Sequence, residues 1–260
     1  MRLGPIAGAT LIVPDLQQAL VAYVEQLRLR QQAQGHVSRQ RALDLGDSAL
    51  IDAPSATLAL SNGAPVSLTL IEVPGALPLP ESGMRGWWRL ILAVEDPESV
   101  RQSLATRHWR PQDSAEAGSC SFTGPAGEQI VLHRSSTRTT GSGSAEHAPA
   151  LLGASLKVAS MATAIGFYQG LGLVSGSHSA SQSPQAADSE SARGLGELRG
   201  DQRIEFIQAP SAIPRDAGLR LGLRMISFAR SDRSGRRLLA ADDPSARILA
   251  GPDHEAIELV

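Results

Sequence analysis

Histidine and cysteine are the side chains that most often bind metals or attack substrates, and this chain spaces them far apart. No two histidines have the i, i+4 spacing that lets a helix present two imidazoles to one metal ion. Cys120 has no neighbouring histidine to activate its thiol, so we expect it to be buried and inert. His254 lies in a turn just before Glu258 and is the histidine best placed to transfer a proton. No glycine-rich nucleotide loop and no nucleophile elbow is present.

The composition indicates a globular protein with no bias toward a charged partner. Of the 260 residues, 42% are hydrophobic and 19% are charged, and the net charge is −2. This balance favours neither nucleic acid nor a membrane surface as a partner. No apolar run approaches the ~20 residues that span a bilayer. A single cysteine cannot form an internal disulfide, so we expect a soluble, cytoplasmic protein.

The two halves of the chain repeat one pattern. When Tyr23 is aligned with Tyr168, each half begins with a short apolar strand, a helix-capping residue and an amphipathic helix. Each half ends with a Gly-Pro turn and a short strand, starting at Gly124 and at Gly251. A further strand followed by a helix start lies in each half, at Asp96 in the first and at Asp232 in the second. The sequence therefore predicts four related units arranged in two pairs.

Two segments rich in small polar residues divide the chain. Residues 135–149 have almost no apolar content and predict a flexible linker, and residues 175–193 predict a long loop. We therefore expect an N-terminal domain over residues 1–134 and a C-terminal domain over residues 150–260. The second domain is shorter, and we expect the missing residues to be a helix after Arg230.

These motifs resemble the vicinal-oxygen-chelate superfamily of glyoxalases, bleomycin-resistance proteins and extradiol dioxygenases. The resemblance is carried by Phe167-Tyr168 with the following Leu-Gly-Leu, and by the Gly251 turn before Ile257-Glu-Leu. It implies an α+β fold of tandem βαβββ modules, paired into two cupped, half-open barrel domains. Modules of this superfamily also pair between chains, so a homodimer is one arrangement that the resemblance allows.

The resemblance also implies positions where relatives hold a metal ion, and this chain lacks most of the ligands. Counting along the motifs places those positions in the first half at Gly8, Thr69, Arg89 and Val131. In the second half the positions are Gly153, Glu205, Met225 and Glu258. We therefore expect no metal and no other cofactor. The alternative is a divalent ion held weakly by Glu205 and Glu258 in the C-terminal domain.

The two carboxylates at these positions leave three interpretations open. Glu205 and Glu258 could face one cavity and hold a hard cation with water, or they could share a proton. Glu205 could instead be a structural carboxylate paired with Arg203 or Arg224. On the catalytic interpretation, the residues that move a proton are Glu258, Glu205 and His254.

The residues expected to bind a ligand follow from the same strands. An arginine in an apolar cup is costly unless it meets an anion, so Arg89 is expected to clamp a carboxylate or enolate or to form an internal ion pair. Only one of Trp87 and Trp88 can face the cup, because adjacent strand residues point in opposite directions. The expected ligand-binding residues are Arg89, Trp88, Met225, Arg224 and Tyr168.

Two functions remain open from the sequence. The first is an enzyme that converts a small carboxylate- or enolate-bearing molecule by lyase, isomerase or ring-opening chemistry without a metal. The second is a protein of the bleomycin-resistance type that binds or sequesters a small molecule without altering it.

Overall fold

The computed structural model describes most of the chain. The described residues are 2–60, 66–79, 84–104, 108–113, 118–135, 149–175, 193–198, 202–209, 219–231 and 247–260. Most of the expected linker at 135–149, most of the expected loop at 175–193 and most of the stretch after Arg230 fall outside these residues.

The strands and helices follow the predicted modules. The first module contains β1 (Arg2–Val13), α1 (Leu16–Leu20) with a π-helical continuation (Val21–Gln26), β2 (Arg30–His36), α2 (Arg39–Asp44), a 3-10 turn (Ser48–Leu50), β3 (Pro54–Leu60) and β4 (Val66–Glu72). The second contains β5 (Gly86–Val94), α3 (Pro97–Leu104), β6 (Arg110–Gln112), β7 (Ser119–Thr123) and β8 (Gln129–Arg134). The third contains β9 (Ala150–Val158), α4 (Met161–Gly170), β10 (Val174–Ser175), β11 (Arg193–Glu197) and β12 (Arg203–Gln208). The fourth contains β13 (Gly222–Ser231), β14 (Arg247–Ala250) and β15 (Ala256–Leu259).

The predicted helix starts are confirmed at the atomic level. The Asp15 carboxylate accepts a hydrogen bond from the backbone N–H of Gln18 at 2.9 Å, and the Ser160 hydroxyl accepts one from Thr163 at 3.3 Å. These side chains satisfy N–H groups that a helix cannot pair internally. The described helices include none that is long and apolar enough to cross a membrane.

The modules pair differently from the prediction. We expected the two modules of residues 1–134 to share a sheet, and likewise those of residues 150–260, and this pairing is wrong. The first sheet joins the first and fourth modules in the order β14-β15-β13-β1-β4-β3-β2. The second sheet joins the third and second modules in the order β10-β11-β12-β9-β5-β8-β7-β6. All four modules offer a similar leading strand, so strand patterns alone cannot decide which two of them pair.

The helix-covered faces of both sheets contribute to one hydrophobic core. Trp87 of the second sheet packs against Phe228 of the first, and its indole N–H donates to the carbonyl oxygen of Ala256 at 2.8 Å. Residues from α1, α3 and α4 complete this core. The predicted α+β fold of tandem modules is therefore confirmed, with two open sheets rather than closed barrels.

Two buried tyrosine–glutamate pairs connect the helices to the Gly-Pro turns. The Tyr23 hydroxyl donates to Glu128, and the Tyr168 hydroxyl donates to Glu255 at 2.9 Å. Each glutamate also accepts a backbone N–H within its own turn. All four side chains belong to residues that are completely buried. Each pair therefore fixes the helix of one module to the turn of another. Tyr23 connects the first module to the turn of the second, and Tyr168 connects the third module to the turn of the fourth.

Burial makes these carboxyl groups hard to ionise. Desolvation raises the pKa of Glu128 to about 7, and the hydrogen bond from Tyr23 offsets only part of that effect. Desolvation also raises the pKa of Glu255 above its ordinary value. The folded protein holds the Glu128 proton more tightly than the unfolded chain does. The protonated carboxyl group therefore makes its full contribution to the stability of the folded protein at a pH below the unfolded pKa. It is lost as the pH rises through the folded pKa.

We expect the Glu128→Gln variant to lose part of the pH dependence of stability. In the wild type, Glu128 should lower the free energy of unfolding by about 3 kcal/mol between pH 4.5 and 7.5. The neutral amide should remove that component, and urea unfolding at several pH values measures it. The matched control is Glu95→Gln at an exposed position. Equal pH dependence in E128Q and wild type would contradict the role given to this carboxyl.

The same carboxyl groups explain the glycine that opens each turn. A Cβ atom on Gly124 would overlap the Glu128 carboxyl, and one on Gly251 would overlap that of Glu255. No other residue type leaves room for the buried acid at these positions.

We expect Gly124→Ala and Gly251→Ala each to destabilise the protein by about 1–3 kcal/mol, because the added methyl group overpacks the turn. Gly166→Ala is the control, since it lies in α4 with nothing within 4 Å of the added Cβ. That control should stabilise the protein by about 0.5–1 kcal/mol. Denaturant unfolding measures all three, and a Gly124→Ala protein as stable as the control would refute this account of the turn.

Candidate functional site

Each sheet carries a row of facing side chains on the side away from α1, α3 and α4, called here the opposite face. The row of the first sheet crosses four adjacent strands and consists of Glu258, Ser227, Gly8 and Ser67. The row of the second sheet has the equivalent order of strands and consists of Glu205, Ser155, Arg89 and Gln129. In both rows a serine therefore stands beside a glutamate on parallel strands, at equivalent places in the two sheets.

The observed register moves half of the predicted metal positions by two residues. Gly8 pairs with Ser67 rather than lying level with Thr69, and Glu258 pairs with Ser227 rather than Met225. In the second sheet Gln129 and Ser155 replace Val131 and Gly153 as the neighbours of Arg89. Thr69, Met225, Val131 and Gly153 each lie two residues from the row residue of their own strand, and therefore on the same face of the sheet.

The donors in these rows do not fit a divalent metal ion. Each row has one carboxylate, and an arginine side chain donates hydrogen bonds to it. At Gly8, where the resemblance places a histidine, a Cβ atom would lie 2.9 Å from the Ser67 carbonyl oxygen. Over the part of the chain that the structure describes, no group of three or more His, Cys, Asp or Glu side chains could hold an ion.

The row of the first sheet is covered by the chain itself. Residues 37–53, which include α2 and the 3-10 turn, lie over its opposite face. The cluster that joins them consists of Ile12, Val37, Ala42, Leu45, Leu50, Ile71 and Met225, all buried. From α2, Arg41 forms an ion pair with Glu258. This face is therefore a small second core.

The row of the second sheet is partly exposed and polar. The Glu205 carboxylate accepts hydrogen bonds from the Ser155 hydroxyl at 3.0 Å and from Arg203 Nε at 3.0 Å. The side chain of Glu205 is 17% exposed and that of Arg203 is 34% exposed. Arg203 also lies 3.4 Å from Nε2 of His133. The expectation that Glu205 pairs with an arginine is therefore confirmed for Arg203.

Trp88 extends this polar face with an aromatic surface. The Cζ atom of Arg89 lies 4.3 Å from the Trp88 ring centroid, and the Nζ atom of Lys157 lies 3.9 Å from it. Cations at such distances are attracted to the ring by its quadrupole. An irregularity in the β5–β9 ladder falls between Trp87 and Arg89, which places Trp88 with the residues of the opposite face. Trp87 is buried in the shared core, as the alternation of strand residues predicts.

The structure separates several residues that the sequence grouped into one site. Glu205 and Glu258 lie on different sheets, so they cannot act as a pair on one cation or proton. The cause is the exchange of modules between the halves, which places β12 and β15 in separate sheets. The exposed His254 lies in the turn before β15 with a left-handed φ of 62°.

The remaining predicted ligand-binding residues lie away from the exposed row. Tyr168 is completely buried, and its hydroxyl donates to Glu255. Met225 is buried beneath residues 37–53. Arg224 donates to the carbonyl oxygen of Leu45 at 3.4 Å, and burial lowers its pKa. Their surroundings indicate packing roles.

Several residues of the two rows, and some of their partners, could not be predicted from the sequence. Ser155, Ser227 and Gln129 carry no motif, and their importance comes only from their neighbours across the ladders. Lys157 could have been predicted, since it lies four residues after the predicted position Gly153 on β9 and therefore on the same face of that strand. Arg41 could not have been predicted, because nothing in the sequence relates α2 to β15, which lies more than 200 residues away and carries Glu258.

Comparisons with known proteins support the fold. A "putative dioxygenase" from Bacillus subtilis superposes with a TM-score of 0.67 at 14% identity, covering 99% of this chain and 85% of that one. The V278E variant of glyoxalase I from Zea mays superposes with a TM-score of 0.66 at 15% identity, covering 98% and 92%. Glyoxalase I from the same plant gives a TM-score of 0.63 at 15% identity, with the same coverage.

No protein-family model and no curated protein matches the chain. The likeness is therefore one of fold, and it extends over nearly the whole chain. This chain therefore has a glyoxalase- and dioxygenase-like fold, as its motifs predict.

Proposed function

We propose that this protein is an enzyme that binds a small carboxylate- or enolate-bearing molecule on the opposite face of the second sheet. Its chemistry would be of the lyase, isomerase or ring-opening class, with Glu205 as the group that moves a proton. The observation that carries the proposal is the adjacency of Arg89, Ser155 and Glu205 on neighbouring strands of a partly exposed face.

The charge of this face favours an anionic ligand. Among the described residues of the row and its immediate neighbours, Arg89, Lys157 and Arg203 are cationic. The carboxylates there are Glu205 and Glu197, which pairs with Arg203 across the ladder between β11 and β12. Arg89 and Lys157 both lie over the Trp88 ring, so the indole holds two cations close together, where one carboxylate would meet both of them. An arginine fork binds a carboxylate with two parallel hydrogen bonds.

Glu205 is placed to exchange a proton with such a ligand. A carboxylate that removes a proton from the carbon beside a carbonyl group leaves an enolate, whose negative oxygen Arg89 or Lys157 would stabilise. Returning the proton to another carbon completes an isomerisation, and loss of a leaving group from the enolate completes an elimination. Ser155 and Arg203 hold the Glu205 carboxylate in position for both steps.

A binding protein without chemistry is the second candidate. The observation that favours it is that both oxygens of Glu205 are already engaged, Oε2 by Ser155 and Oε1 by Arg203. On this alternative the carboxylate serves only to position Arg203, and the ligand leaves unaltered.

Exchange of substrate hydrogen for solvent deuterium tests the proposal directly. We expect the wild type to catalyse this exchange, followed by NMR, for at least one member of a panel of 2-oxo acids and aromatic carboxylates with an acidic C–H bond. Glu205→Gln should keep the affinity for that compound and lose the exchange by about 100-fold or more, because the general base is gone. Glu95→Gln, at an exposed position just after β5, is the control.

Bound compound that is recovered unaltered, without exchange in the wild type, would favour the binding protein instead. Exchange by E205Q at the wild-type rate would remove Glu205 from the mechanism.

A second measurement concerns the anion. We expect Arg89→Met to raise the dissociation constant of a bound carboxylate by about 10-fold or more, since a hydrogen bond between charged groups is lost. Calorimetric titration measures it, with Arg110→Met at an exposed edge strand as the control. Unchanged affinity in R89M would place the carboxylate elsewhere on the face.

A further inference from the structure

Glu258 on the first sheet, one of the positions where the sequence resemblance implies a metal ligand, has an arginine as its partner. Nη1 and Nη2 of Arg41 donate to the two oxygens of its carboxylate, and the second of these distances is 3.2 Å. The Ser227 hydroxyl donates to the same carboxylate. The side chain of Glu258 is only 5% exposed. A single guanidinium therefore neutralises a carboxylate that is almost excluded from water.

The local structure of residues 37–53 delivers Arg41 to this place. The segment is closed at its base, where the N–H of Val37 donates to the Ala53 carbonyl oxygen at 2.9 Å and that of Asp52 donates to the Val37 carbonyl oxygen at 3.0 Å. The Ser38 hydroxyl accepts the backbone N–H of Arg41 at 3.1 Å and begins α2. The first turn of α2 is thereby fixed over the sheet.

Apolar contacts seal the rest of the face. Ala42, Leu45 and Leu50 from the segment pack on Ile12 and Met225 of the sheet. All five residues are buried. The arginine and the apolar side chains therefore act on the same surface, one neutralising its charge and the others removing its apolar area from water.

We propose that Arg41 is the resident cation of the first sheet. Its guanidinium stands against Glu258 where relatives would use a metal ion, and it secures residues 37–53 as a permanent cover. Over the residues that the structure describes, the opposite face of the first sheet is then closed to small molecules. This inference concerns the first sheet alone and stands whether or not the second sheet has the proposed activity.

The energetics of buried charge favour this assignment. An isolated carboxylate in such a place is strongly destabilised, whereas a forked pair with arginine satisfies both oxygens. Removing one partner should therefore cost more than removing both. A metal ion would require further anionic donors, and the row supplies only the serines and Gly8 beside Glu258.

Thermal unfolding of matched variants tests the proposal. Arg41→Ala should lower Tm by about 5–10 °C, because Glu258 loses its counter-charge. The double variant Arg41→Ala/Glu258→Gln should recover at least half of that loss. Arg39→Ala is the matched control, since Arg39 begins the same helix and is exposed. It should leave Tm unchanged.

Free guanidinium ion distinguishes a cation site from a packing effect. At about 20 mM, far below denaturing concentrations, guanidinium chloride should raise the Tm of R41A above its value in equal sodium chloride. It should do so neither in R39A nor in the double variant, which lacks the carboxylate. Rescue confined to R41A supports the proposal, and absence of rescue in R41A overturns it.

The variants also decide the matter if R41A is too unstable to purify. A double variant that folds while R41A does not supports the ion pair as the cause. A double variant as unstable as R41A overturns the proposal, because the loss would then come from packing alone.

Discussion

The backbone hydrogen bonds between β1 and β13, and the equivalent ones between β5 and β9, join modules from opposite halves of the chain. The arrangement of the side chains in both rows depends on these two ladders. They place Ser227 beside Gly8 and Ser155 beside Arg89, and so define the two rows. They also separate Glu205 from Glu258, although both stand at the same place in their own modules.

Four buried or half-buried glutamates show how partners decide what a carboxyl group does. Glu128 and Glu255 receive a tyrosine hydroxyl and a backbone N–H inside the core, and desolvation raises the pKa of both. They connect helices to turns. Glu258 meets a guanidinium under a cover of apolar residues and is structural for that reason. Glu205 has a similar set of partners on a partly exposed face, which leaves it within reach of a ligand.

The two sheets thus use one scaffold in two ways. Both carry a serine–glutamate–arginine group at equivalent strands, but the arginines come from different places. Arg203 belongs to the same strand as Glu205, two residues away, and leaves the face exposed. Arg41 comes from an inserted helix and brings with it the apolar residues that close the face. Function is therefore proposed for the second sheet and packing for the first.

The sequence by itself determined the modules and the faces of their strands. Local patterns of apolar residues, helix caps at Asp15 and Ser160, and the two Gly-Pro turns act over a few residues and can be identified without a structure. The absence of histidine from the predicted metal positions was equally visible. Counting along the motifs of the resemblance also placed Arg89 and Glu205 on inward strand positions, and both lie in the row of the second sheet.

Only the tertiary structure decided which modules pair and which side chains meet. Four similar leading strands can pair in more than one way, and the choice depends on contacts between distant segments such as Trp87 with Phe228. The ion pair of Arg41 with Glu258 joins residues 217 positions apart, and no local pattern encodes it. Long-range neighbours are set by packing of the whole chain, whereas strand faces are set by the nearest few residues.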